Sequence, residues 1–279
     1  MRKPEVLEPS HPWGTGLFGE TTYAGKRKEY FGYMTKLARI AAFALLLTQT
    51  ISAQDGKLQV ICSNGFRAAM QKLAGNKVTV QFGASANLKR TIENGAPFDL
   101  AVLTPQVIND LIKEGKIAAG TAVDLASSGI GVAVRAGQPK PDVSSAEAVK
   151  KALLAAKSVG YVKVGAGTPA ILEMLNRLGI EKEIEPKTAF QSGAEESMKN
   201  VAAGNIDLAL ALVSEIVPAQ GVQFAGAIPA EFQRKITMTA AIASSAHNRK
   251  AAERFIQSLT GAKAAKAIRA VGMEPSASH

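Results

Sequence analysis

The sequence predicts an α/β fold, and three observations carry the prediction. Strand-like apolar runs alternate with stretches of helical periodicity, which is typical of a largely parallel sheet covered by helices. The chain has 47% hydrophobic and 20% charged residues, as folded rather than disordered proteins do. Its 279 residues are enough for one large domain or for two lobes, each with a core of its own.

Strand and helix alternate strictly at the start of the folded region. The first two helices end at Gly-Asn or Asn-Gly pairs, and the third begins at Pro105, which is suited to a first helical position. Such alternation places successive strands side by side and parallel. The predicted strands are 57–64, 77–83 and 98–104, and the predicted helices are 65–76, 85–95 and 105–117.

The second part of the chain continues in a less regular order. We find no fixed-period repeat and no low-complexity segment, which argues against a repeat architecture. The predicted strands are the start of 127–142 (followed by a Gly/Pro turn), 158–164, 206–218, 221–229 and 236–244. The predicted helices are 145–156, 167–180, 194–205, 248–261 and 262–272.

The N-terminal segment has the pattern of a secretory signal. From Met34, a basic start leads into the apolar run 40–47 and then into the small residues Ser52 and Ala53. The apolar run is shorter than the ~20 residues of a membrane span. We therefore expect residues 1–53 to be a removed leader, with translation starting at Met34 and the exported chain starting near residue 54.

The side chains after residue 53 exclude several kinds of active site. One cysteine (Cys62), two histidines (His247 and His279), one tyrosine (Tyr161) and no tryptophan remain. Metal cages need several His or Cys ligands, and sugar sites rely on aromatic platforms. A catalytic triad would depend on His247, which we expect at an exposed helix start. We expect no enzyme, no metal and no cofactor, and we interpret Cys62 as a buried, inert thiol.

The net charge of +10 has two interpretations. Nucleic-acid binding needs basic residues clustered on one face, often with aromatic residues between them. Here Lys and Arg are scattered, and 26–30 (KRKEY) is the densest basic run. We therefore expect a basic, solvated surface that attracts anions and no nucleic-acid partner.

Three strand-to-helix junctions share one chemistry. Each is rich in Gly, Ala, Ser or Asn, and helix starts offer unpaired N–H groups that bind anions. In an open α/β sheet such junctions lie where ligands bind. The alternative is ordinary helix capping, for which Ser, Thr and Asn are the usual residues. The junctions are Ser63-Asn64-Gly65, Gly83-Ala84-Ser85-Ala86 and Gly165-Ala166-Gly167-Thr168.

Two further patterns have weaker functional interpretations. Residues 164–170 (VGAGTPA) fit a dinucleotide motif, with Glu183 and Glu185 downstream, but they lie in the middle of an exported chain rather than in its first strand–helix unit. Glu195 and Glu196 follow a helix start and are better explained as first-turn acids than as a catalytic pair, because adjacent helical residues point in different directions.

Residues 82–117 resemble the signature segment of the periplasmic molybdate-binding proteins of ABC transporters. The likeness consists of a strand, a serine-bearing turn, a helix ending in GAP.D, and another strand and helix. It extends over 57–275, with 94–102 (NGAPFDLAV) as its most specific piece. The resemblance implies a two-lobed type II periplasmic binding protein fold with mixed sheets and two crossover strands. The lobes would be 54–130 plus 236–279, and 131–235.

The resemblance also implies binding residues. The serine donor of the second strand matches Ser85, and the first serine donor falls on Gly65, just after Ser63 and Asn64. A main-chain donor of the second lobe matches Gly167, and the family's tyrosine falls on Leu212. Both Gly65 and Leu212 lack the expected donor, so molybdate, tungstate, sulfate and organic acids all stay open. The predicted ligand-binding residues are Ser63, Asn64, Gly65, Ser85, Gly167, Thr168 and Ala194.

Together these observations predict a monomeric periplasmic protein that captures a small, molybdate-like oxyanion by hydrogen bonds alone. The resemblance implies that it delivers this ligand to an ABC transporter permease in the inner membrane. Three alternatives stay open: a binding protein of the same fold for another ligand such as an organic acid, a sensor without a transporter, and a serine hydrolase using Ser63 or Ser85.

Overall fold

Two mixed sheets form the computed structural model, which describes residues 56–277. The predicted leader, 1–53, and His279 lie outside the described residues. The strands are β1 (Leu58–Ser63), β2 (Val78–Gly83), β3 (Leu100–Leu103), β4 (Val123–Ser128), β5 (Ile130–Arg135), β6 (Val159–Val162), β7 (Thr188–Gln191), β8 (Leu208–Leu212), β9 (Val222–Ala227), β10 (Ile236–Ile242) and β11 (Glu274–Pro275).

Helices follow most of the strands, and two short 3₁₀ turns, Asn64–Phe66 and Glu185–Lys187, precede α1 and β7. The helices are α1 (Arg67–Leu73), α2 (Ser85–Glu93), α3 (Pro105–Lys113), α4 (Ala146–Ala155), α5 (Thr168–Arg177), α6 (Glu181–Ile184), α7 (Ala194–Ala203), α8 (Val213–Ile216), α9 (Arg249–Thr260) and α10 (Ala262–Arg269). Among the described residues, none of these helices is long and apolar enough to cross a membrane.

The first sheet has the strand order β11-β4-β10-β3-β1-β2. Strands β1, β2 and β3 are parallel, as predicted, whereas β10 runs antiparallel between β3 and β4. The second sheet has the order β7-β6-β8-β5-β9, with β6 parallel to β7 and β8 and with β5 antiparallel to β8 and β9. Both sheets are therefore mixed, and the α/β prediction is confirmed.

The chain passes between the sheets twice, and a single side chain connects the two passages. The first passage is at Gly129, between β4 and β5, and the second lies between β9 and β10. Gln233, in the second passage, accepts a hydrogen bond from the Ile130 N–H at 2.9 Å and donates one to the Ile130 carbonyl at 2.6 Å. A side chain at Gly129 would begin 2.9 Å from the Gln233 Oε1, so glycine leaves room for this contact.

The sequence did not predict strands β4 and β7, and one predicted strand is shorter in the structure. The segment predicted as one strand within 127–142 follows a separate strand, β4, whose exposed Val123 and Asp124 mask its pattern. The strand predicted over 206–218 ends at Leu212, where α8 begins. The short strand β7 has an exposed Phe190 and lies at the edge of its sheet, so its sequence lacks the apolar run of a central strand.

A continuous apolar cluster joins the two sheets beneath the site described below. Val60, Leu100 and Met238 of the first sheet and Leu210 and Leu212 of the second belong to this cluster. Burial of these side chains is the main favourable term that holds the sheets together.

Cys62 is also part of this cluster. Its thiol is free and fully buried, and burial raises its pKa, as expected of an inert thiol.

Candidate functional site

A small cavity lies where the ends of β1 and β2 in the first sheet meet the ends of β6 and β8 in the second. Its volume is about 40 Å³, and we call it the inner cavity. The seven predicted binding residues all line it. These residues are Ser63, Asn64, Gly65, Ser85, Gly167, Thr168 and Ala194.

The first sheet contributes hydroxyl groups. Ser63 ends β1 and is 2% exposed, and its hydroxyl has no hydrogen-bond partner within residues 56–277. Ser85 begins α2, and its Oγ accepts a hydrogen bond from the Thr104 N–H at 3.3 Å. Because that bond uses a lone pair, the Ser85 hydroxyl hydrogen stays free for a ligand.

The turn after β1 is shaped by Gly65. Its carbonyl accepts a hydrogen bond from the Ser214 hydroxyl at 2.9 Å, which ties the two sides of the cavity together. A Cβ at this position would lie 2.4 Å from the Met238 Cε and 2.9 Å from a Leu212 methyl. A side chain at position 65 would therefore meet both Met238 and Leu212, so a serine does not fit beside Leu212 without a shift of these side chains.

Asn64 lies in the same turn and is oriented by a neighbouring cation. Its side-chain oxygen accepts a hydrogen bond from the Arg67 guanidinium at 2.9 Å. The amide nitrogen of Asn64 is thus the group that remains as a donor. The guanidinium carbon of Arg67 lies 4.3 Å from the centroid of the Phe82 ring, which holds this cation beside the cavity.

The second sheet contributes mainly main-chain groups. A glycine-rich turn follows β6 and leads into α5, and a Cβ at Gly167 would lie 3.3 Å from a Leu212 methyl. Thr168 donates its hydroxyl hydrogen to the Val162 carbonyl at 2.8 Å and its N–H to the Gly165 carbonyl at 3.2 Å. Thr168 therefore lines the cavity while both of its hydrogens are bonded within the protein.

Four N–H groups at turn or helix starts converge on the inner cavity from both sheets. They belong to Gly65, Ser85, Gly167 and Ala194, and none of them has an acceptor among the described residues. The first N–H groups of a helix have no partner within the helix. They carry the positive end of its dipole, so this part of the cavity is electropositive without a bound cation.

Glu215 is a cavity residue that the sequence did not predict. It lies in α8, where its Oε2 accepts a hydrogen bond from the Leu212 N–H at 3.2 Å. Burial raises the pKa of this carboxyl to about 7. The signal that could have found it is an acid three residues after the buried end of a strand, which is the spacing of a helix capping motif.

A wider space, which we call the outer pocket, adjoins the inner cavity. The two share five lining residues, Asn64, Ser192, Gly193, Ala194 and Glu215. Its volume is about 790 Å³. Glu195 there is paired with Lys199 at 2.9 Å, and this contact lowers the pKa of Glu195.

Glu196, also in the outer pocket, accepts hydrogen bonds from the N–H and hydroxyl of Ser192, which lower its pKa. Neither Glu195 nor Glu196 lines the inner cavity, and each has a local partner, as first-turn acids do.

Other candidate chemistry is not brought together. His247 has a side chain that is 86% exposed, contacts Asp99 and does not line the inner cavity, so it is not a base for Ser63 or Ser85. Within residues 56–277 there is no cluster of three His, Cys, Asp or Glu residues that could hold a metal ion.

Comparison with known proteins identifies the family of this chain. The family model of bacterial extracellular solute-binding proteins matches residues 58–274. Aconitate isomerase from Pseudomonas sp is 29% identical over 255 residues, which are 86% of this chain and 97% of that protein. The molybdate-binding protein ModA from Azotobacter vinelandii is 25% identical over 232 residues, which are 79% of this chain and 91% of that protein.

Structural comparison identifies the fold. The solved periplasmic molybdate-binding protein of Azotobacter vinelandii superposes with a TM-score of 0.66 at 21% identity, covering 78% of this chain and 98% of that one. The predicted type II periplasmic binding protein fold is thereby confirmed.

Proposed function

Because this chain belongs to the bacterial extracellular solute-binding proteins, we propose that it is an exported binding protein that captures a small oxyanion in the inner cavity. The observation that carries this proposal is the set of four unpaired N–H groups, two from each side of the cavity. Helix and turn starts bind anions through such groups, with no need for a paired Lys or Arg. The residues that would contact the ligand are Ser63, Asn64, Gly65, Ser85, Gly167, Thr168 and Ala194. Thr168 would contribute only van der Waals contact, because both of its hydrogens are bonded within the protein.

The size of the inner cavity supports a compact ligand or a single compact anionic group. Its volume of about 40 Å³ is small beside the roughly 790 Å³ of the adjoining outer pocket. A sugar or peptide would have to lie outside it. Since the donors come from both sheets, a bound anion would bridge them and favour the closed arrangement of the predicted lobes, 54–130 plus 236–279, and 131–235.

A molybdate-like oxyanion is the first candidate ligand. The ModA relative is named for molybdate binding, and hydroxyl and main-chain N–H groups suit a dianion because they donate hydrogen bonds without losing a proton. In this proposal the protein acts in the periplasm as a monomer, without a cofactor and without catalysis. It delivers the anion to the permease of an ABC transporter in the inner membrane.

An unsaturated organic acid is the second candidate, and Leu212 favours it. This side chain forms an apolar wall between Gly65 and Gly167. A tetrahedral oxyanion has no carbon to place against that wall, whereas an organic acid has a carbon chain. The relative named aconitate isomerase supports the same class of ligand.

Glu215 extends the second candidate to a reaction. An isomerisation that moves a proton along a carbon chain needs a group that takes and returns it, with a pKa near the working pH. Glu215 lines the inner cavity, and its pKa of about 7 meets this requirement. In this alternative the protein is an exported isomerase rather than a binding protein.

One calorimetry panel tests both candidates. The purified chain would be titrated with molybdate, tungstate, sulfate, succinate, cis-aconitate and trans-aconitate. Heat from molybdate and tungstate alone supports the first candidate, and heat from the organic acids alone supports the second. No heat from any of the six anions overturns the proposed function.

A separate experiment distinguishes a binding protein from an isomerase. Proton NMR of cis-aconitate incubated with the protein would follow the appearance of trans-aconitate. Conversion that disappears in Glu215→Gln supports the isomerase. Binding without conversion supports the binding protein.

A further inference from the structure

Glu215 is placed where a bound anion would meet it. Among residues 56–277, Glu215 is the only residue with an ionisable side chain that lines the inner cavity. Its neighbours Ala211, Leu212 and Ile216 are apolar and buried. Among the described residues, the Glu215 carboxyl accepts one hydrogen bond, from the Leu212 N–H to Oε2. Its other oxygen, Oε1, has no donor among these residues.

The charges around Glu215 do not include a paired cation among the described residues. Arg67 acts on it at longer range, and its guanidinium contacts Asn64 and the Phe82 ring instead. From α7, Lys199 is paired with Glu195. Elements packed against α8 supply little more charge: β8 and β9 carry no ionisable side chain.

Two further charged residues near α8, Glu196 and Arg135, contact other residues and not Glu215. Glu196 of α7 is bonded to Ser192. Arg135, at the far end of β5 from Ile130, lies against Gly204. An ionised Glu215 would therefore face an incoming anion without a neutralising partner.

Two negative charges in one desolvated site disfavour each other, and such pairs commonly hold one proton between them. Burial raises the pKa of Glu215 to about 7, so the carboxyl is partly protonated at neutral pH even without a ligand. An anion bound in the inner cavity would raise the pKa of Glu215 further, because it disfavours the ionised carboxylate. A neutral carboxyl then becomes a hydrogen-bond donor in a cavity built from donors.

We propose that Glu215 binds the ligand in its neutral form and donates its carboxyl hydrogen to the anion, so that the site holds one proton together with each anion. The inference rests on the proposed anion-binding function. It adds a specificity-determining residue from α8 to the donors predicted from the sequence.

The test is the pH dependence of binding, measured by calorimetry with molybdate and with trans-aconitate as separate probes. Both are fully ionised between pH 7 and pH 9, so any change in affinity comes from the protein. If only the protonated form binds and the group titrates near 7, affinity falls about 50-fold over this range. Repeating the titration in buffers of different ionisation enthalpy counts the protons, and about one per anion is expected at pH 9.

Glu215→Gln is the decisive variant. An amide keeps the acceptor for the Leu212 N–H and donates permanently to the anion. We expect the variant to bind at pH 9 about as tightly as the wild type does at pH 7, with an affinity that changes less than about 3-fold over the range.

Glu195→Gln is the matched control, because it removes one negative charge from the outer pocket while Glu215 stays in place. This variant is expected to keep the wild-type slope. A wild-type affinity that does not change with pH, or a Gln variant that keeps the wild-type slope, overturns the inference while leaving anion binding intact. Absence of binding by every anion overturns both this inference and the proposed function.

Discussion

The two sides of the inner cavity provide the same kind of donor by different means. The first sheet brings the hydroxyls of Ser63 and Ser85, which are 2% and 6% exposed, in addition to the main-chain N–H groups of Gly65 and Ser85. The second sheet brings main-chain N–H groups from glycine-rich and alanine-rich turns, together with the carboxyl of Glu215. Side chains can be exchanged one at a time, whereas main-chain groups depend on the whole turn, so the two sides are expected to respond differently to mutation.

The largest expected effect tests the carboxyl that only the second side carries. A carboxyl whose pKa is about 7 when folded and 4.5 when unfolded binds more protons in the folded state between these values. The free energy of unfolding therefore falls as pH rises from about 4.5 to 7, by roughly 3 kcal/mol. Urea unfolding of the wild type and Glu215→Gln across this range measures the difference.

Glu195→Gln is again the matched control for that comparison. The pKa of the Glu195 carboxyl is lowered, so Glu195→Gln is expected to keep the fall in the free energy of unfolding between pH 4.5 and 7 that Glu215→Gln abolishes. Parallel curves for the wild type and Glu215→Gln would mean that Glu215 is not protonated on folding, and the second side would then lack its distinguishing group.

The next effect tests the hydroxyls of the first side. Ser85→Ala removes a donor whose lone pair is already used by the Thr104 N–H. Loss of one hydrogen bond to a charged ligand is expected to cost about 2 kcal/mol, or roughly 30-fold in affinity. Calorimetry with the anion that binds in the panel measures it.

Ser258→Ala, on the exposed part of α9, is the control for Ser85→Ala and is expected to bind as the wild type does. Equal affinities for the wild type and Ser85→Ala would show that the first side does not donate through this hydroxyl.

A third experiment tests whether the sides are matched in shape. Gly65→Ser introduces the serine that the resemblance to molybdate-binding proteins implies at this position, but its Cβ meets Met238 and Leu212. We expect a loss of about 1–2 kcal/mol in the free energy of unfolding. Leu212→Ala in the same chain is expected to relieve the part of the clash that involves Leu212, while the contact with Met238 stays, giving a non-additive double-mutant cycle.

Gly75→Ser provides the background value for that cycle, because nothing lies within 4 Å of a Cβ there. Strictly additive effects of Gly65→Ser and Leu212→Ala would contradict the coupling of the two positions.

The smallest expected effect is at Thr168. Its hydroxyl hydrogen is donated to the Val162 carbonyl, so Thr168→Val is expected to lower stability by about 1 kcal/mol. Affinity is expected to change less than about 3-fold, in contrast to Ser85→Ala. Thermal unfolding and calorimetry on the same sample separate the two. A larger loss of affinity than in Ser85→Ala would reverse the comparison.

The sequence predicts the first side better than the second because its signals are local. A strand followed by Ser63-Asn64-Gly65, or by Ser85 at a helix start, can be recognised within ten residues. Glu215 was missed because 208–217 (LALALVSEIV) is mainly apolar and has no Gly or Pro between Leu212 and Val213, where the strand ends and the helix begins.

Contacts distant in sequence are equally hidden. Gly65 and Ser214 are joined by a hydrogen bond across 149 positions, and the pairing of Gly65 with Leu212 depends on the way the sheets meet. Each residue alone looks like the loss of a donor. Only the folded chain shows that one accommodates the other.

The bonds between Gln233 and Ile130 have a mechanical consequence for the opening of the cleft. The Gln233 carboxamide forms hydrogen bonds with both the N–H and the carbonyl of Ile130. We expect this pair of bonds to resist sliding of the two connecting segments past each other. We therefore expect the two sheets to move relative to each other mainly by rotation about these segments. Spin labels on the two sheets are expected to give a narrow distance distribution that broadens in Gln233→Ala. Such a restriction would bring the two sides of the inner cavity back into the same relative position after every opening.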